Sequence, residues 1–219
     1  MIEVYAINIK YINKNLNYNM DMISSERKER IKRLKFVDDK KACFFAEYIL
    51  YICMKYIYNK EYTIKKDENG KPKFQDVEGF HFNISHSGDW VICAFSNYEI
   101  GIDIEKIDEV NLSIAKKYFN IDEYNVLLNI NNSADKKSFF YTLWTLKESY
   151  LKNLGIGIMG ISPKLKFIME NSIEGYVDEN KIDKSFFSQR FQKDYIISIC
   201  YDEKEELNES KFINILNVM

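Results

Sequence analysis

The chain carries one pattern twice, and that constrains its fold more than any other feature. Lys40-Lys41-Ala42-Cys43-Phe44-Phe45 opens one long apolar helical run, and Lys136-Lys137-Ser138-Phe139-Phe140 opens another. Downstream of the first, Asp89-Trp90-Val91-Ile92 begins a strand pattern. Asp194-Tyr195-Ile196-Ile197 begins a second in the same relative place. A chain rich in Phe, Lys and Ile produces such pairs by chance. As a true repeat they require two similar α+β halves, residues 1–98 and 99–219, joined near Asn97–Ile100, and a ligand cleft between the halves.

Proline occurs only at Pro72 and Pro163, and no Gly/Ser-rich linker separates the halves, so 219 residues are expected to share one core. The formal net charge of −2 excludes a surface built throughout for nucleic acid. An anionic ligand must therefore be met by a local cluster of cations. No apolar run is long enough to span a bilayer, and Met1-Ile2-Glu3-Val4-Tyr5 reads as a strand, not as a secretion signal. Cys43, Cys53, Cys93 and Cys200 lie in separate apolar runs with no CxxC pair and read as buried small hydrophobes. These features predict a cytoplasmic protein that engages neither nucleic acid nor membrane, and two halves that already make the cleft within one chain predict a monomer.

The patterning predicts a strand over Ile2–Ile9, a basic helix near Ser24–Phe36 capped by Ser24 or Ser25, and a long helix over Lys40–Tyr58. Asn69-Gly70-Lys71-Pro72 is a turn. Strands follow at Phe82–Ile84, Trp90–Ser96 and Ile100–Glu105. Helices follow at Ser113–Tyr118, Asp122–Asn129 and Lys136–Leu154, then strands at Leu165–Met169 and Tyr195–Tyr201.

Four segments carry chemistry. In Gly101-Ile102-Asp103-Ile104-Glu105, strand alternation turns Asp103 and Glu105 to one face and the isoleucines to the core. Two such carboxylates repel unless a cation lies between them, and Mg²⁺ suits them because it takes one or two carboxylates with waters and phosphate oxygens. An exposed strand face with two solvated acids is the other reading. In Trp144-Thr145-Leu146-Lys147-Glu148-Ser149-Tyr150-Leu151-Lys152, steps of four set Trp144, Glu148 and Lys152 on one helix face. Glu148 is then a third metal ligand or a general base, and Lys152 a neutraliser of phosphate charge, or the two form a surface ion pair beside a core Trp. In His81-Phe82-Asn83-Ile84-Ser85-His86-Ser87-Gly88, the residues Ser85, His86 and Ser87 offer donors to phosphate in a tight bend. A Ser-His nucleophilic pair is poor there, since adjacent residues seldom align. In Arg27-Lys28-Glu29-Arg30-Ile31-Lys32-Arg33, Arg27 and Arg30 stand three apart and can clamp a phosphate, or the run is a solvated face. Lys71 adds a mobile cation.

Together these segments resemble the Sfp-type phosphopantetheinyl transferases, which activate non-ribosomal peptide and polyketide synthases. Gly101-Ile102-Asp103 and the run from Trp144 to Lys152 fit the family's Gly-(Ile/Val)-Asp and (Trp/Phe)-(Ser/Thr/Cys/Ala)-x-Lys-Glu-(Ser/Ala)-x-x-Lys, with forty residues between Asp103 and Trp144. Phe82-Asn83-Ile84-Ser85-His86-Ser87 and Gly70-Lys71-Pro72 match two further motifs, and the likeness runs from about Ser24 to Lys152.

The resemblance implies two pseudo-symmetric α+β halves with coenzyme A (CoA), the donor substrate, bound between them. It implies Asp103, Glu105 and Glu148 as Mg²⁺ ligands and Ser85, His86 and Lys71 as holders of CoA phosphates. Arg27 and Arg30 would meet the 3′-phosphate, and Asp103 and Lys152 would also face CoA. The partner it implies is a peptidyl or acyl carrier domain, whose serine attacks the pyrophosphate and releases 3′,5′-ADP. Glu148 and Lys152 would be catalytic. Relatives carry an Arg followed by Ser or Thr where this chain reads Lys41-Ala42-Cys43, with Lys41 the substitute cation. A transferase serving fatty-acid synthesis shares every one of these motifs. A non-catalytic CoA- or carrier-binding module would have no need of the acidic triad and Lys152, and an unrelated Mg²⁺-dependent nucleotide hydrolase leaves the joint spacing unexplained.

Overall fold

The first apolar run forms β1 (Glu3–Asn8), whose four central residues are all buried because both faces of the strand are covered. The computed structural model describes residues 1–10, 12, 19–157, 160, 162–209 and 212–217. Helix α1 (Ser25–Arg33) begins where the Ser24 side chain accepts the backbone N–H of Arg27. Helix α2 (Val37–Ile52) continues into a π-helical turn at Cys53–Ile57, so the long helix expected over Lys40–Tyr58 starts earlier and ends in a widened turn.

Strands β2 (Ile64–Lys66) and β3 (Pro72–Phe74), which the pattern did not predict, form a hairpin around the Asn69-Gly70 turn, where Gly70 takes φ +86. Next come β4 (His81–Ser87), β5 (Trp90–Ser96) and β6 (Gly101–Lys106). Helices α3 (Leu112–Tyr118), α4 (Ile121–Asn129) and α5 (Ser133–Leu154) follow. The chain then forms β7 (Leu165–Met169), β8 (Ile173–Val177), β9 (Asn180–Lys181), β10 (Ser185–Phe191), β11 (Tyr195–Tyr201) and β12 (Ile213–Leu216).

The repeated sequence pattern is a repeated topology. Strands β1, β5 and β4 pair antiparallel in that order, and β6, β11 and β10 do the same. Lys40 and Lys136 are each the fourth residue of their helix, and Trp90 and Tyr195 each open the central strand of their sheet. The architecture is therefore α+β, in two pseudo-symmetric halves. One strand breaks the symmetry: β12 crosses back to pair parallel with β1. A boundary after residue 98 thus assigns to the second half a strand that lies in the first sheet.

Three apolar clusters hold these layers. Helix α2 packs Phe45, Ile49 and Leu50 with Tyr5, Val91 and Phe95 of the first sheet. Val4, Ala6, Ile92 and Ala94 meet Ile102, Ile104, Ile197 and Ile199 between the halves. Helix α5 packs Leu143 and Leu146 with Phe119, Phe167 and Phe186. Ile102 and Ile104 are wholly buried, each worth roughly 1.5–3 kcal/mol of apolar transfer. A one-residue slip of β6 would exchange them for the two acids, so the core fixes the face on which Asp103 and Glu105 stand. The four cysteines are buried and free. Among the described residues no helix is long and apolar enough to cross a membrane.

Candidate active site

Helix α5 lies against β6 with almost no space between them. A Cβ at Gly101 would stand 1.9 Å from the Ser149 carbonyl oxygen and 2.4 Å from the Asn153 nitrogen. Glycine is thus required because the helix backbone occupies the place of a side chain. That contact brings the Trp144–Glu148–Lys152 face of α5 over the Asp103–Glu105 face of β6. The five residues line one cavity of about 290 Å³ together with Ile84, Ser85 and His86 of β4.

The two sheets meet at β4 and β6 without a backbone ladder. Three side chains of β4 stand in for it: Asn83 Oδ1, Ser85 Oγ and Ser87 Oγ accept the backbone N–H groups of Ile102, Ile104 and Lys106 at 3.0, 3.4 and 3.0 Å. Both hydroxyls then donate onward, Ser85 to Asp103 Oδ1 and Ser87 to Glu105 Oε2, each at 2.8 Å. The bend expected at Ser85–Ser87 is therefore strand, and the turn is confined to Gly88-Asp89. Ser85 also accepts Lys152 Nζ at 2.8 Å. Its single proton and both lone pairs are then used, which leaves nothing for a phosphate. Ser85 and His86 project to opposite faces of β4, which removes the Ser-His pair. His86 faces the cavity, and partial burial together with the charges of Lys152, Arg30 and Arg27 pushes its imidazole below the usual pKa.

Neither bland reading of the acids or the helix holds. Asp103 is 3% exposed, so the strand face is not a solvated one. Lys152 does not pair with Glu148; its ammonium reaches Asp103 Oδ1 at 2.7 Å. One cation thus answers three carboxylates. Burial, then the Asp103 charge, pushes both Glu105 and Glu148 up to about 7. Asp103 Oδ2 and Glu148 Oε1 are buried without a hydrogen-bond partner, a costly state for carboxylate oxygens. These hard oxygen donors fit a divalent cation of the Mg²⁺ type. No group of three His, Cys, Asp or Glu among the described residues is already drawn together at liganding distance.

A second cavity of about 510 Å³ adjoins the first and shares Ile84, His86 and Lys152 with it. Its walls come from both halves, among them Arg27, Arg30, Cys43 and Ala46 on one side and Gly155, Ile156 and Gly157 on the other. The expected clamp divides. Arg30 is exposed and has no hydrogen bond or ion pair among the described residues, whereas Arg27 Nε is held by Glu47 Oε2 at 3.0 Å. Lys71 is not the mobile cation that its turn implied. It is 7% exposed, with Nζ on Glu99 Oε2 at 2.6 Å and on the carbonyls of Ile100 and Asn153. Lys41 is buried, its ammonium 3.5 Å from the Lys10 carbonyl, and is not part of the cavity wall.

Two charged residues, Lys147 inside the helix motif and Glu99 just ahead of Gly101, have roles that the spacing did not reveal. Lys147 is fully buried, pairs with Glu123 Oε2 at 2.8 Å and donates to the Leu165 carbonyl. Glu123 also accepts the Phe167 and Asn120 backbone N–H groups, which ties α4, α5 and β7 together. Glu99 gathers Lys71, Lys73 and His81 at the join of the halves. A lysine and a glutamate at those positions look like any charged pair until the partner strand is known.

Comparison with known proteins adds two family models that together run through most of the chain. The 4′-phosphopantetheinyl transferase superfamily model matches residues 99–200, and a model of the 4′-phosphopantetheinyl transferase N-terminal region matches residues 10–97. The 4′-phosphopantetheinyl transferase gsp of Aneurinibacillus migulanus is 35% identical over 176 residues, which cover 79% of this chain and 69% of that protein. The 4′-phosphopantetheinyl transferase psf-1 of Bacillus pumilus is 31% identical over 72% of this chain and 68% of its own. Sfp of Bacillus subtilis, also a 4′-phosphopantetheinyl transferase, is 37% identical over 64% of this chain and 63% of its own. The chain thus aligns with about two thirds of the length of each.

Proposed function

The chain belongs to the 4′-phosphopantetheinyl transferase superfamily, and from that membership we propose that it transfers the 4′-phosphopantetheine arm of CoA to a serine of a peptidyl or acyl carrier domain. The serine oxygen forms a bond to the β-phosphorus of the CoA pyrophosphate. The bond from that phosphorus to the bridging oxygen breaks, and 3′,5′-ADP leaves. The observation that carries the reading is the convergence of Asp103, Glu105, Glu148 and Lys152 on one cavity, with two buried carboxylate oxygens unpartnered.

Asp103, Glu105 and Glu148 would hold Mg²⁺, which supplies neutralisation of pyrophosphate charge when bound. The remaining work belongs to side chains of this chain. Glu148 would take the serine proton, directly or through a water. Lys152 presents its ammonium where charge grows on the departing 3′,5′-ADP. Arg30, exposed on the wall of the larger cavity, and Arg27 beside it would take the 3′-phosphate, and His86, which lines both cavities, would meet the pyrophosphate. Catalysis of this kind is mostly positioning and charge stabilisation.

Because both walls of the cleft come from one chain, a monomer suffices, and its CoA supply fits the cytoplasm. Neither nucleic acid nor membrane enters the reading. The test is incubation of the protein with CoA, MgCl₂ and an apo carrier domain. The expected products are a carrier heavier by one phosphopantetheine and an equal amount of 3′,5′-ADP. Hydrolysis of CoA with the carrier unchanged would contradict it.

A further inference from the structure

Glu47 lies on α2, outside every segment that the sequence patterning singled out for chemistry, yet it is 6% exposed and carries a carboxylate. Such a group persists in a core only when donors surround it. Three do, and all come from the start of α1. The Ser24 backbone N–H donates to Glu47 Oε1 at 2.6 Å, the Ser24 hydroxyl to Oε2 at 3.1 Å, and Arg27 Nε to Oε2 at 3.0 Å. Ser24 is at the same time the N-cap of α1 through its bond from the Arg27 backbone. One buried carboxylate therefore fixes both where α1 begins and how the Arg27 side chain leaves it.

The guanidinium has few orientations left. Its Nε is spent on Glu47, and Nη1 lies 3.8 Å from Cys43 Sγ, another residue of the larger cavity's wall. A planar guanidinium held at one edge presents its remaining N–H groups in a fixed direction. Arg30, one turn along α1, has no such anchor and is exposed. The two arginines are thus unlike: one preset, one adaptable.

We propose that Glu47 is a positioning residue that presets Arg27 in the wall of the larger cavity for the 3′-phosphate of CoA. This rests on the reading of that cavity as the CoA site. Positioning opposes electrostatics here, because the Glu47 charge by itself weakens an anion site. Ordering of Arg27 outweighs that loss.

The experiment measures calorimetric affinity for CoA and for 3′-dephospho-CoA in the presence of Mg²⁺. The proteins are wild type, Glu47→Gln, Arg27→Ala and the double variant, each checked by thermal melting. The preference of wild type for CoA should fall about tenfold in Glu47→Gln, the lower range for one charge-assisted phosphate contact. Dephospho-CoA affinity should stay nearly constant, and Glu47→Gln should change the preference no further once Arg27 is alanine. A preference that is unchanged or increased in Glu47→Gln, while Arg27→Ala still lowers it, would overturn the positioning role and leave the site reading intact. Equal weakening of both ligands would make Glu47 a purely structural residue. A wild type without preference would overturn the reading on which the proposal rests. Glu47→Asp, which keeps the charge but withdraws it by one methylene, is the second variant if Glu47→Gln does not fold, with a smaller loss of preference expected.

Discussion

Replacing Gly101 with alanine should damage the site more than it damages the fold. The added Cβ would meet the Ser149 carbonyl oxygen at 1.9 Å and the Asn153 nitrogen at 2.4 Å, both backbone atoms that no rotamer change can move. Ordinary contact begins near 3.4 Å, so α5 must retreat from β6 by about 1.5 Å, the difference 3.4 − 1.9. Overpacking of that kind costs about 1–3 kcal/mol, which a domain of this size can survive. The same shift draws Glu148 and Lys152 away from Asp103 and Glu105, and a misplacement of about 1 Å can cost on the order of a hundredfold in rate. The assay is carrier-domain transfer at saturating CoA, beside a thermal melt. A folded Gly101→Ala protein with near-normal turnover would refute the claim that helix-to-strand contact sets the site.

Other substitutions separate roles. Lys147→Met should lower stability by about 3–5 kcal/mol, because it leaves Glu123 buried beside a missing cation; denaturant unfolding measures it, and a loss below about 1 kcal/mol would make the pair dispensable. Burial raises the Glu99 carboxyl, but the bonds from His81, Lys71 and Lys73 outweigh it and hold it well below its ordinary value. Its contribution to stability is therefore present above the unfolded pKa of about 4.3 and is lost as pH falls toward the folded value. Glu99→Gln should accordingly melt lower than wild type at pH 7, with a deficit that narrows below about pH 4; a deficit constant with pH would contradict the charge argument. Lys152→Ala should cut turnover roughly a hundred- to thousandfold with a smaller change in CoA affinity, and the opposite pattern would make it a ground-state contact.

Much of this was legible in the sequence because period and repeat are local properties. The alternation at Gly101–Glu105 and the four-residue steps from Trp144 to Lys152 depend only on backbone geometry, and both faces are where those periods put them. What the sequence concealed were partners. Asn83, Ser85 and Ser87 share one face of a strand, but only the position of β6 makes them a seam between sheets, where Ser85 and Ser87 alone had read as phosphate donors. Lys71 sits in a turn that looks solvent-facing until Glu99 and Asn153 close over it. Lys152 had two acids within reach of a long side chain, and packing, not spacing, chose Asp103 over Glu148.

The central claim is that the acidic cavity carries out the transfer. Its most direct test is mass spectrometry of an apo carrier domain after incubation with CoA and MgCl₂, in parallel with wild type and Glu148→Gln, a variant that keeps the shape of the side chain and removes its charge. The carrier should gain one phosphopantetheine completely with wild type, none when Mg²⁺ is chelated, and at most a trace with Glu148→Gln. Full modification by Glu148→Gln at the wild-type rate would contradict it.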